Sequence, residues 1–139
     1  MKITSLELSE KLKEKGFPQD NHFVYRHWRS SGEVIIDEVK EKYYDYPKSR
    51  NMPPSSEVIC SAPSADEILE QLPNYIRNPR TGNLDGLWFC KNSHTEDFIG
   101  EYHTTFDAPF IELRDKSLAD LMASLWLLLK EKNLLDIKR

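Results

Sequence analysis

Glu101 and His103 are the residues whose types and spacing best fit acid–base chemistry. Residues 98–106 alternate in side-chain character with a period of two, so Glu101 and His103 lie on one face of a predicted strand. A carboxylate beside an imidazole can transfer protons or ligate a metal ion, and Asp107 follows closely. A small hydrolase using Glu101, His103 and Asp107 is therefore one hypothesis. The alternative, the solvent face of an antiparallel strand, leads us to assign no catalytic residue, metal site or cofactor.

The two cysteines of the chain, Cys60 and Cys90, both fall in predicted strands. A cysteine nucleophile needs an activating partner such as histidine, and His103 could approach Cys90 across a hairpin. Unpaired cysteine commonly behaves as a small buried hydrophobe. We therefore expect two inert thiols in the core.

Aromatic and basic residues alternate at Tyr25, Arg26, His27 and Arg29. Aromatic rings can stack on bases while arginines pair with phosphates, so this strand is a candidate nucleic-acid-binding surface. The following residues could extend it: Tyr43, Tyr44, Tyr46, Lys48 and Arg50. The alternative is a strand with its aromatic residues in the core and its arginines in solvent.

Residues 117–132 carry leucines at the spacing of one helical face and predict a central core helix. Trp126 and Leu127 lie off the main stripe. They are therefore candidates for a surface that binds a protein partner or a second copy of the chain. Complete burial in a single core is the alternative.

Three helices and several strands must position these residues. Thr4 with Glu7 fits a capping box for a helix over residues 5–15, Ser5 is an alternative cap, and Gly16 can end the helix. Ser64 with Glu67 fits a second capping box, and Ser117 begins the last helix. Strands are predicted over the following residues: 22–29, 33–39, 58–60, 87–90 and 98–106.

Hairpins rather than strand–helix–strand crossovers dominate this order of elements. The pattern predicts an α+β fold, an antiparallel sheet of about four to five strands with three helices packed mainly on one face. We expect one globular domain over residues 1–139, with a mobile loop around residues 40–57 and a turn-rich loop over residues 77–86.

Length and charge limit the function classes. The chain has 139 residues, is 39% hydrophobic and carries a net charge of −4, with no apolar run long enough to cross a membrane. Residues 1–5 lead directly into a charged segment, so we expect no secretory signal and a cytosolic location. A net negative charge provides no bulk basic face for duplex DNA.

The arrangement of the helices resembles that of small uncharacterised proteins encoded by bacteriophages and prophages of gut bacteria. The similar features are the capped first helix ending at Gly16-Phe17, the Ser61-Ala62-Pro63 turn, Leu72-Pro73, and the apolar helix over residues 117–135. The resemblance implies a phage-type accessory protein without assigned activity in the cytoplasm of a bacterial host cell, and it brings no catalytic motif.

We therefore expect a non-enzymatic protein-interaction module that binds an unknown protein partner or itself. The alternatives are a nucleic-acid-binding module using the Arg/Tyr-rich strand and the small hydrolase. Two substitutions separate the protein-interaction hypothesis from the nucleic-acid hypothesis. Trp126→Ala should weaken a complex with a protein, and Arg26→Ala should weaken a salt-sensitive complex with nucleic acid.

Overall fold

The computed structural model describes residues 2–39, 56–104 and 108–135. Three strands follow the first helix and four follow the second, in the following order: α1 (Leu6–Glu14), β1 (Phe23–Trp28), β2 (Val34–Glu38), β3 (Ser56–Ser61), α2 (Ala65–Leu69), β4 (Tyr75–Arg77), β5 (Leu84–Lys91), β6 (Phe98–His103), β7 (Ile111–Asp115) and α3 (Leu118–Glu131). The predicted loop around residues 40–57 lies outside the described residues, except that Ser56 and Glu57 begin β3.

The strands form two antiparallel sheets, which confirms the α+β class. One sheet has three strands in the order β2-β1-β3, and the other has four in the order β4-β5-β6-β7. A single sheet of about four to five strands was therefore the wrong arrangement. β4 and β7 were not predicted, because each is short and lies beside a proline, Pro73 or Pro109, where turn chemistry dominates the local pattern.

Side-chain caps define the starts of the three helices. Ser64 forms the predicted capping box with Glu67, and the Ser117 hydroxyl accepts a hydrogen bond from the Asp120 N–H. Ser5 caps α1, accepting from the Leu8 N–H, so the preferred assignment of Thr4 was wrong. The Thr4 hydroxyl instead donates to the Pro63 carbonyl at 2.8 Å, a contact that local sequence cannot reveal.

Helix α3 is the centre of the larger core. It contacts α1, α2, β6 and β7, and its leucines pack with Phe17, Ile68 and Tyr102. Gly100 on β6 allows this close approach, because a Cβ atom there would lie 2.8 Å from Leu125 Cδ1. One face of the four-stranded sheet is therefore buried under α3.

A smaller core joins the three-stranded sheet to α1 and the N-terminal segment. It contains Tyr25, Cys60 and Ala62, with Ile3 and Leu6 packed against them. The Tyr25 hydroxyl donates to the Thr4 carbonyl at 2.6 Å, and the Thr4 N–H donates to the Pro63 carbonyl at 2.9 Å. The N-terminal segment is thus held on both sides by hydrogen bonds.

Candidate functional site

The predicted Glu101 and His103 lie together on the face of the four-stranded sheet opposite α3. His103 Nε2 is 3.6 Å from Glu101 Oε1, and His103 Nδ1 is 2.8 Å from the Thr104 carbonyl oxygen. A carbonyl can only accept, so Nδ1 carries a proton and Nε2 faces the carboxylate. The distance between His103 Nε2 and Glu101 Oε1 is longer than a hydrogen bond. The two side chains therefore form an ion pair only when the imidazole is charged.

The third group of the hydrolase hypothesis, Asp107, lies outside the described residues. Across residues 2–39, 56–104 and 108–135, no group of three or more His, Cys, Asp or Glu side chains could hold a metal ion. What the structure describes of this hypothesis is therefore one carboxylate–imidazole pair.

Trp88 and Tyr75 extend the Glu101–His103 pair into a row across β4, β5 and β6. Trp88 lies opposite Glu101 and Tyr75 lies opposite Gly86, so all these residues share one face. The Trp88 and His103 rings are 5.2 Å apart between centroids. Tyr75 is 59% exposed and Trp88 is 53% exposed.

The sequence interpretation missed this aromatic face because residues 87–90 were taken as one buried apolar strand. In the structure only Leu87 and Phe89 of that stretch face α3, and Trp88 and Cys90 point the other way. The signal that could have found it is the alternation Leu84, Gly86, Trp88, which continues a period of two on the open face.

Cys60 and Cys90 have opposite environments, so the expectation of two core thiols was wrong for Cys90. Cys60 is buried, and burial raises the pKa of its thiol to about 11. Cys90 is exposed at the far end of β5. It pairs with Ile99, four residues from His103 along β6, a separation of about 13 Å. His103 therefore does not activate Cys90.

The predicted nucleic-acid surface does not form one open face. Tyr25 is buried, and burial raises the pKa of its hydroxyl, with Asp120 and Cys60 adding to the effect. Arg26 is 5% exposed, with its guanidinium 3.4 Å from the Asp37 carboxylate and donating to Ser56 Oγ. The pleat of β1 puts Tyr25 and Arg26 on opposite faces of the strand. The N-terminal segment covers Tyr25, and Arg26 lies against Asp37 and Ser56 of the two neighbouring strands.

His27 and Arg29 are the more accessible members of that surface. Arg29 pairs with Glu57 of β3, which neutralises its charge locally. The residues proposed to extend the surface, Tyr43, Tyr44, Tyr46, Lys48 and Arg50, lie outside the described residues.

Of the two predicted partner-binding residues, Trp126 is buried and Leu127 is partly exposed. Trp126 is 6% exposed and packs edge-to-face on Phe17, with centroids 5.1 Å apart. The expectation that Trp126 lies on an accessible surface was therefore wrong. The reason is that α1 and the chain following it cover the side of α3 that the main leucine stripe does not use.

Leu127 lines a groove of about 780 Å³ between α1, α3 and β7. Three further leucines, Leu8, Leu113 and Leu128, line the same groove. Its charged lining residues are the following: Lys11, Glu14, Lys15, Lys130 and Glu131. The groove combines an apolar surface with a lysine-rich border.

Comparison with protein-family models, curated proteins and solved structures finds no match, so the interpretation of these surfaces rests on their geometry. Within the described part of the chain, no helix is both long enough and apolar enough to cross a membrane.

Proposed function

We propose that the protein is a non-enzymatic accessory protein that works by binding a partner protein in the groove between α1 and α3. The observation that carries this proposal is the set of four partly exposed leucines, including Leu127, that line one groove. The groove leucines of α3 lie next to buried core residues of the same helix. The apolar lining of the groove is therefore continuous with the core.

An amphipathic helix is the partner element that suits this groove. Such helices place an apolar face in a groove between helices through residues at i, i+3, i+4 and i+7. Three lysines and two glutamates border the leucines, which is locally positive in a chain of net charge −4. A helix with leucine-like anchors and acidic flanks is therefore the favoured partner.

The other two hypotheses have weaker support. A nucleic-acid surface on β1 would need Tyr25 and Arg26, both of which are buried. A hydrolase would need a cleft around Glu101 and His103, whereas the groove described above is lined by other residues. The phage-type origin and the cytoplasmic location remain proposals that rest on the resemblance of the helix pattern.

Photocrosslinking from the groove tests this function. A photoreactive amino acid replaces Glu131, which lines the groove, or Glu70, which is exposed at the end of α2, and each variant is applied to nuclease-treated lysate of the native host. We expect a crosslinked protein from position 131 and not from position 70. The crosslinked segment should be an amphipathic helix.

Leu127→Glu in the position-131 variant should abolish the crosslink, and Leu69→Glu should leave it unchanged. Leu69 is a matched control because it is an exposed leucine on a different helix. Circular dichroism checks that both variants remain folded. Crosslinking that is equal from both positions, that occurs only to a second copy of the chain, or that survives Leu127→Glu would overturn the proposal.

A further inference from the structure

The outer face of the four-stranded sheet carries an aromatic row that the groove does not use. Tyr75, Trp88 and His103 lie side by side on β4, β5 and β6, on the face opposite α3. Leu84, also exposed, continues the same face of β5. Large exposed aromatic residues that adjoin one another on a sheet are typical of a binding surface.

Gly86 separates the two most exposed rings of this row. A Cβ atom at Gly86 would lie 3.5 Å from Tyr75 Cε1 and 3.6 Å from Trp88 Nε1. Both rings therefore flank the same point on the sheet, with no side chain between them. On its other side, Trp88 is supported by the His103 ring, which is tilted by 36° relative to it.

The two rings also offer hydrogen-bond donors. Neither the Tyr75 hydroxyl nor the Trp88 indole N–H donates to another residue among those that the structure describes. Both groups are therefore available to a ligand that presents acceptors. Aromatic rings that pack on apolar groups and also carry a hydrogen-bond donor suit a ligand with alternating apolar rings and carbonyl groups.

The four strands place two basic and two acidic side chains on this face, Arg77 and Arg114 against Glu101 and Glu112, so these charges balance in number. Arg114 pairs with Glu112 at 3.1 Å, and the Arg77 guanidinium keeps its charge while it donates to the Gly82 carbonyl. A polyanion such as single-stranded nucleic acid binds where a basic groove accompanies the aromatic rings. The balanced charges favour an uncharged ligand.

We propose that this face binds a proline-rich segment of a partner protein in the polyproline II conformation. Such a segment has no internal hydrogen bonds and presents its carbonyl groups outward, and its proline rings pack between aromatic side chains. From Tyr75 to His103 the row crosses two strand spacings, about 10 Å. One polyproline II turn rises about 9 Å, so one turn spans the row.

This site is independent of the groove of the proposed function. The aromatic row lies on β4, β5 and β6, whereas the groove is lined by α1, α3 and Leu113 of β7. Substitutions in one surface should therefore leave binding at the other unchanged, and the two proposals can fail separately.

Titration of the purified full chain with a short oligoproline peptide tests the proposal. Binding is measured by fluorescence anisotropy of the labelled peptide and by the shift of the Trp88 indole N–H resonance. Trp88→Ala and Tyr75→Ala should each weaken binding by about tenfold or more. Val58→Ala, an exposed apolar position on the three-stranded sheet, should leave affinity unchanged.

Gly86→Ala is the sharpest variant, because the added methyl group fits the fold at ordinary contact distances but occupies the space between the rings. It should weaken peptide binding without lowering the melting temperature. Leu127→Glu should have no effect on the peptide. The proposal is overturned if oligoproline fails to bind at millimolar concentration, or if Trp88→Ala and Gly86→Ala bind it normally. Tighter Trp88-dependent binding of an oligothymidylate would also overturn it.

Discussion

The Asp120 carboxylate accepts a hydrogen bond from the Ser5 backbone N–H at 2.8 Å, although the two residues lie 115 positions apart in the chain. Ser5 is the N-cap of α1 and Asp120 lies in the first turn of α3. The Asp120 carboxylate therefore lies at the N-termini of two helices, α1 and α3. Negative charge is favourable at a helix N-terminus, so it stabilises both helices.

Asp120→Ala should destabilise the protein by about 1–3 kcal/mol, because it leaves a partly buried N–H without its charged acceptor. Tyr25→Phe removes the hydrogen bond to the neighbouring Thr4 carbonyl and should cost about 1 kcal/mol. Urea unfolding of the single and double variants measures both effects. Because both contacts hold the N-terminal segment, we expect the double variant to lose less than the sum. Full additivity would show that this segment does not act as one unit.

Glu67 should make stability depend on pH. Burial alone would raise the pKa of Glu67, but hydrogen bonds from the Ser64 and His22 N–H groups and from the Asn21 amide outweigh it, so the pKa lies below its ordinary value of 4.5. A carboxylate with a lowered folded-state pKa contributes stability above its unfolded pKa. That contribution is lost as the pH falls through the folded value.

Glu67→Gln should therefore destabilise the protein by about 1–2 kcal/mol at pH 7, because an amide presents a donor where the carboxylate accepts from both oxygens. The difference from the wild type should shrink as the pH falls below about 4.5. Thermal unfolding between pH 7 and pH 3 measures it, with Glu70→Gln as the control at the end of the same helix. A difference that does not change with pH would contradict the assignment.

Local sequence signals predicted the helices well and the long-range contacts poorly. Ser64, Ser117 and Gly16 act as predicted, because a cap depends on residues within one turn, and Gly16 adopts a positive φ of 91°. The local capping pattern relates Asp120 only to Ser117. The contact between Asp120 and Ser5 depends on where the N-terminal segment packs in the folded protein. The spacing of apolar residues along the sequence does not determine that position.

The candidate surfaces show the same limit. Leu127 was found by its position off the leucine stripe, and it does line a groove. Trp126 occupies the preceding position on the same helix and is buried, because α3 is covered on more than one side. The face on which Trp88 lies was missed because a run of apolar residues conceals which of them point outward.

The two cysteines should differ in reactivity towards a thiol reagent such as Ellman's reagent. At pH 8, a pKa of about 11 leaves Cys60 with a thiolate fraction on the order of 0.001, and burial blocks access as well. Native protein should therefore release one equivalent rapidly, from Cys90, and a second only after unfolding. Cys90→Ser should abolish the rapid phase, and Cys60→Ser should leave it intact. Rapid modification of Cys60 in the native protein would contradict the packing of the smaller core.

Gly100→Ala tests the close packing of α3 on the four-stranded sheet. The new Cβ atom would lie 2.8 Å from Leu125 Cδ1 and 3.2 Å from Phe89 Cε1, and Leu125 is fully buried. We expect a loss of about 1–3 kcal/mol in the free energy of unfolding, because the crowded side chains must leave their preferred rotamers.

Leu125→Ala alone should cost about 2–5 kcal/mol by opening a cavity. The two changes together should cost less than their sum, because the added methyl group fills part of that cavity. Gly86→Ala on the open face is the matched control, and its contacts of 3.5 Å and longer predict little change in urea unfolding. If Gly100→Ala and Gly86→Ala lowered the free energy of unfolding equally, α3 would not pack on β6 through Gly100.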